Sequence, residues 1–222
     1  MRTVLLTGFE AYGNTPVNPA ESVARALDGT TIGEARIVSR IVPNTFFECI
    51  DFVAAAVKEL EPGLLVMMGE FGGRAMITVE RIAQNLNDST RYQVLDNRGC
   101  SLQDELTAPD GPAAYYSTLP IRAMVKAIRE AGIPADISDA PGTFCCNHLM
   151  YGMLHHIATN GLNIRAGWVH LPHLPGVAAL PENLGAPSMS LETAAAGVKV
   201  GIRAALERPK DITEPSISRL QI

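Results

Sequence analysis

Two patterns of apolar positions alternate along the chain. Short, nearly continuous apolar runs stop at a glycine, a proline or a polar loop: residues 3–7 before Gly8, 35–42 before Pro43, 64–68 before Gly69, then 135–138 and 166–171. Such runs predict buried strands, and residues 76–82 add one that alternates. Between them, residues 20–27, 46–60, 121–131, 146–159 and 191–206 carry apolar residues at helical spacing, the first after Asn18-Pro19 and the third closed by Gly132. Strands that alternate with helices predict an α/β fold: a single-domain three-layer α/β/α sandwich with a mostly parallel mixed sheet. Its domain is expected over residues 1–208, with a loose tail over 209–222. Residues 85–112 are polar and turn-rich, a length of loop that a compact domain usually keeps for function or for a protruding arm.

The composition agrees with a globular chain. Of 222 residues, 47% are apolar and 18% charged, and the net charge of −5 comes without any basic run able to neutralise a row of phosphates. Nucleic acid is therefore not an expected partner. The apolar stretch at the start is too short for a signal segment, and no window approaches the ~18 apolar residues of a membrane span. A cytoplasmic protein is expected. Four cysteines, Cys49, Cys100, Cys145 and Cys146, are too few and two of them too close for a disulfide framework, which leaves free thiols in a reducing compartment.

In open sheets of this kind ligands gather at the carboxyl ends of the strands. One such loop, Asp139-Ala-Pro-Gly-Thr-Phe-Cys-Cys-Asn-His148, places Cys146 near the amino end of a helix, where unsatisfied N–H groups favour a thiolate. The alternative is a buried structural cysteine. A thiolate nucleophile needs an imidazole, and His170, in Trp168-Val-His-Leu-Pro172, ends an apolar strand at the same edge. His148 lies two residues from Cys146 on the helix and does not face it. His170 could equally be a hydrogen-bonded core histidine. Glu80, a lone acid in an apolar strand, could orient the imidazole or pair with Arg81 or Arg74.

A metal site is not expected, because the histidines at 148, 155, 156, 170 and 173 show no metal-ligand spacing. The loop Gly69-Glu-Phe-Gly-Gly-Arg74 matches no phosphate-binding fingerprint, and Glu70 would repel an anion.

Taken together, Leu6-Thr-Gly-Phe-Glu-Ala-Tyr-Gly13 with Val17-Asn-Pro19, the stretch from Gly72 to Asn87 (GGRAMITVERIAQNLN), and Gly142-Thr-Phe-Cys-Cys-Asn-His-Leu-Met-Tyr-Gly152 resemble the pyroglutamyl peptidase I family of cysteine peptidases over nearly the whole chain. The resemblance implies a triad of Cys146, His170 and Glu80 and chooses Cys146 over Cys145. It implies hydrolysis of the amide after an N-terminal pyroglutamyl residue of peptides, without metal or organic cofactor, in a homo-oligomer, dimer or tetramer. It implies Phe9 and Tyr12 as aromatic walls of the ring pocket, Glu70 beside the ring, and Arg91 near the acyl oxygen. The chain departs from the family with Glu70 in place of Gln, a longer segment over 88–97, His173 in place of Tyr, and Gly176 after Pro175. Two rival readings are a non-catalytic binding protein for a small cyclic amide on this fold and a phosphate-using transferase on a related α/β scaffold, since fold alone does not fix function. The adjacent thiols at 145 and 146 also predict that activity depends on reductant.

Overall fold

A computed structural model of the chain describes residues 2–13 and 15–220. It begins with strand β1 (Arg2–Phe9) and helix α1 (Pro19–Leu27), followed by the short β2 (Thr31–Ile32), β3 (Ala35–Val42), α2 (Glu48–Leu60) and β4 (Leu64–Glu70). Next come β5 (Ile77–Glu80), β6 (Ile82–Gln84), β7 (Ala114–Tyr116), α3 (Ile121–Glu130), β8 (Ala135–Ser138) and α4 (Cys145–Thr159). The chain ends with β9 (Arg165–Leu171), the one-turn α5 (Pro175–Ala178) and α6 (Leu191–Glu207).

Seven strands form the main sheet in the order β2-β3-β1-β4-β9-β5-β8. Most neighbours are parallel, and β5 runs antiparallel to β9. Side chains alternate across each strand, so Val4 and Leu6 join α1, α3 and α6 in one apolar layer while Leu5 and Phe9 join α2 and α4 in the other. This is the expected α/β/α sandwich. At the first crossover, Asn18 accepts a hydrogen bond from the Ala20 N–H at 2.9 Å, capping α1 ahead of Pro19. A Cβ on Gly8 would lie 2.2 Å from the Ala20 carbonyl oxygen, so only glycine lets α1 settle this closely onto β1.

Three expectations are corrected. The strand foreseen over 76–82 breaks at Arg81, whose backbone bonds to Ser138 and Ser117 turn the chain out of the main sheet, so that β6 pairs with β7 instead. Residues 85–112, expected as a functional loop or a protruding arm, are tied back at their root onto α4. Asn147 on α4 accepts from the Gln84 N–H and donates to the carbonyls of Gln84 and Leu86, and Asn85 bonds to Ala108 in both directions. The tail has no regular element and yet is held. Asp211 accepts from the N–H groups of Arg122 and Ala123 at the start of α3, where Pro120 supplies no side-chain cap, and Asp136 accepts from those of Arg219 and Leu220.

Helix α4 is apolar on nearly all sides and buries even Asn147 and His148. It lies between the sheet and the 85–112 arm, so its polar residues find partners in the arm rather than in water. No helix among the described residues is long and apolar enough to cross a membrane.

Candidate active site

The antiparallel junction of β5 and β9 builds the charged part of the site. Thr78 lies opposite His170, and Glu80 lies two residues further along the same face, a diagonal that long side chains can bridge. Because Val79 and Val169 belong to the α1/α3/α6 layer, Thr78, Glu80 and His170 face α4. The His170 Nδ1–H donates to Glu80 Oε1 at 2.8 Å, with both residues buried. Arg74 also donates to Glu80 Oε1, at 2.7 Å, and further to Thr78, Ser138 and the Ala140 carbonyl. Glu80 therefore bonds the imidazole and pairs with an arginine at once, and of the two arginines considered, Arg74 is the one it engages. Burial pushes the Glu80 carboxyl up, but the hydrogen bond and charge of His170 and the charge of Arg74 outweigh it and leave the group below the usual carboxylate range.

Cys146 sits in the first turn of α4, half-buried. A Cβ on Gly69 would fall 2.8 Å from Cys146 Sγ and 2.7 Å from Trp168, so glycine is what lets the sulfur lie against β4. Gly69 pairs in register with His170, one strand spacing of about 4.8 Å away. The thiol and the imidazole thus line one cavity of about 270 Å³. A larger groove of about 640 Å³ lies between α2 and the end of α4, but it is lined by such residues as Ala54, Lys58, His156 and Leu162 and holds no thiol. The smaller cavity is the chemically equipped one.

Its electrostatics differ from the helix-terminus argument. Burial, then the charges of Glu80 and Glu70, push the Cys146 thiol up, and burial pushes His170 down despite Glu80. Burial thus opposes both the thiolate and the imidazolium. With its proton on Nδ1 toward Glu80, the imidazole keeps Nε2 available as a base.

The expected substrate residues separate in the structure. Tyr12 and Glu70 line the cavity, and burial followed by the charge of Glu70 drives the Tyr12 phenol up, which keeps it neutral. Glu70 Oε1 accepts from His173 Nδ1 at 2.7 Å, while its Oε2 is buried without a partner among the described residues. Burial pushes this carboxyl up, and the hydrogen bond from His173 opposes that. Phe9 does not reach the cavity. Its ring packs in the core 5.5 Å from Trp168. Arg91 is exposed, 5.2 Å over the Tyr92 ring, and does not line the cavity. It sits in a 3-10 turn over Thr90–Tyr92 that presents Tyr92 inward in its place.

Phe71, Tyr92, Val94 and Phe144 complete the cavity and were not among the expected site residues. For Phe71 and Phe144 the only sequence signal is adjacency to Glu70 and Cys145. The arm residues carry none, because their approach depends on anchors far away in sequence. Among the described residues no group of three or more His, Cys, Asp or Glu is arranged to hold a metal ion.

Comparison with known proteins places this geometry. A family model for pyroglutamyl peptidase matches residues 2–208. The chain is similar to the pyrrolidone-carboxylate peptidase of Mycobacterium tuberculosis, 61% identical over the full length of both, and to that of Cupriavidus pinatubonensis, 45% identical over 96% of this chain and 97% of the relative. Among crystal structures, pyroglutamyl peptidase I from Bacillus amyloliquefaciens superposes with a TM-score of 0.91 at 37% identity, covering 96% of this chain and 99% of its own. A mutant pyrrolidone carboxyl peptidase from Pyrococcus furiosus does so at 0.87 and 39%, covering 92% and 98%.

Proposed function

The chain belongs to the pyroglutamyl peptidase family, and from that premise we propose that it hydrolyses the amide after an N-terminal pyroglutamyl residue with Cys146 as nucleophile, His170 as base and Glu80 as orienter. The observation that carries the assignment is the Glu80–His170 hydrogen bond, which leaves Nε2 free in the cavity that Cys146 also lines.

His170 Nε2 takes the thiol proton as Cys146 Sγ attacks the acyl carbonyl. Glu80, held ionised by Arg74, stabilises the imidazolium. The acyl oxygen meets the unsatisfied N–H groups at the start of α4. The imidazolium then protonates the departing amine, and water, activated by the same nitrogen, releases pyroglutamate from the thioester. Glu70 Oε2, an acceptor without a donor, takes the lactam N–H beside Tyr12. A binding protein for a cyclic amide has no observation in its favour once nucleophile and base share a cavity. Four free thiols suit a cytoplasmic location, and self-association as a dimer or tetramer belongs to the same reading.

A fluorogenic pyroglutamyl amide should be cleaved by the wild type and not by Cys146→Ser. Because burial lowers His170, the acid limb of kcat/KM should lie below the ordinary imidazole value of 6.5. Equal turnover by wild type and Cys146→Ser removes the nucleophile assignment.

A further inference from the structure

Recognition of the ring and attack by the thiol leave one wall of the cavity without a task. Phe71 is 36% exposed and Tyr92 is 43% exposed, and both line the cavity that holds Cys146. Large apolar side chains left open beside a reaction centre mark a surface that something covers.

Phe71 is fixed more firmly than a surface phenylalanine needs to be. Its N–H donates to the Leu171 carbonyl at 2.9 Å, and its carbonyl accepts from the Arg74 N–H at 3.1 Å. The Arg74 guanidinium lies 3.8 Å from the ring centroid, and that cation is itself held by Glu80, Thr78 and Ser138. The ring stands edge-on to His170, 79° between planes and 5.4 Å between centroids. One side of the aromatic ring is thus committed to Arg74, and the remainder stays open at the cavity mouth.

Position relative to the proton donor decides what meets that open surface. His170 Nδ1 is engaged by Glu80, so the leaving amine must come within about 3 Å of Nε2 to be protonated. The side chain of the residue bearing that amine begins two bonds away, which brings it to the Phe71 ring. The geometry points to Phe71, assisted by Tyr92, as the platform that selects the residue after the scissile bond, favouring a large apolar side chain over glycine. This inference rests on the reading above, in which His170 protonates the leaving amine.

The test is kcat/KM for a series of pyroglutamyl dipeptide amides with glycine, alanine, leucine or phenylalanine after the scissile bond. The wild type should favour leucine over glycine by about tenfold, the discrimination typical of an open apolar subsite. Phe71→Ala should bring that ratio toward one, and Phe71→Leu should restore most of it. A flat wild-type series sinks the inference while leaving pyroglutamyl hydrolysis intact, and it does so even where a variant fails to fold. A Phe71→Ala protein that loses the same factor on every substrate also sinks it, since the ring would then only buttress His170. A wild type that cleaves none of the series removes this inference together with the function it rests on.

Discussion

Two regions face each other across the cavity, and they are held by different forces. On one side Arg74, Glu80 and His170 are joined by short hydrogen bonds, with Glu80 and His170 on adjacent central strands. On the other, the arm over 85–112 has almost no regular structure and reaches the cavity through Tyr92 and Val94. It is fixed by side chains of α4. Asn147 makes its three bonds to Gln84 and Leu86, and His148 accepts from the Phe47 N–H at 2.8 Å through Nε2 while Nδ1 meets Asn87 and Thr107. Proton transfer needs groups placed to within tenths of an ångström, which sheet and ion pair provide. A peptide-facing wall needs only to be present, and a few hydrogen bonds from Asn147 and His148 on α4 keep it there.

The sharpest way to break the sheet side is Glu80→Gln. Loss of the orienting carboxylate should lower kcat by on the order of 10^3–10^4. It should also cost about 3–5 kcal/mol in chemical denaturation, because Arg74 stays buried without its counter-charge. Unchanged kcat would mean that the imidazole needs no carboxylate.

Acid tests the arm side next. Burial holds His148 down at about 3 in the fold, against 6.5 when free, so the unfolded chain takes up the proton first. Its contribution is complete above about 6.5 and drains away as pH falls toward 3, amounting to several kcal/mol. Melting curves across that window should be steeper for the wild type than for His148→Gln, which accepts the Phe47 N–H without titrating. Parallel curves would show that His148 is not the group responsible.

A smaller effect separates the two regions most cleanly. Asn147→Ala removes two part-buried bonds to Gln84 at the end of β6 and one to Leu86 at the start of the arm, and none to the sheet array, so stability should fall by about 2–4 kcal/mol. In the surviving folded enzyme KM should rise more than kcat falls. A loss confined to kcat would place the arm in the chemistry rather than in binding.

Much of this was legible in the chain. Apolar runs and helical spacings located the strands and helices, and Asn18-Pro19 marked the start of α1, because period and capping act over a few residues. The motifs nominated Cys146, His170 and Glu80, and the structure gathers all three around one sheet edge. Phe9 was expected at the pocket from the resemblance alone, whereas its ring packs in the core against Trp168. Arg91 misled because the course of a long loop is set by its anchors, Asn147 and His148, some 50 residues away.

By itself, then, the sequence determined the layers, the order of elements and the residue types available for acyl transfer, since these follow from local periodicity and motif. Only the tertiary structure decided that Glu80 engages Arg74 and His170 together, that burial opposes the thiolate of Cys146, and that Phe71 and Tyr92 form the open wall. Those outcomes depend on which distant groups share a buried volume, and the balance between desolvation and Coulomb attraction exists only once that volume has closed.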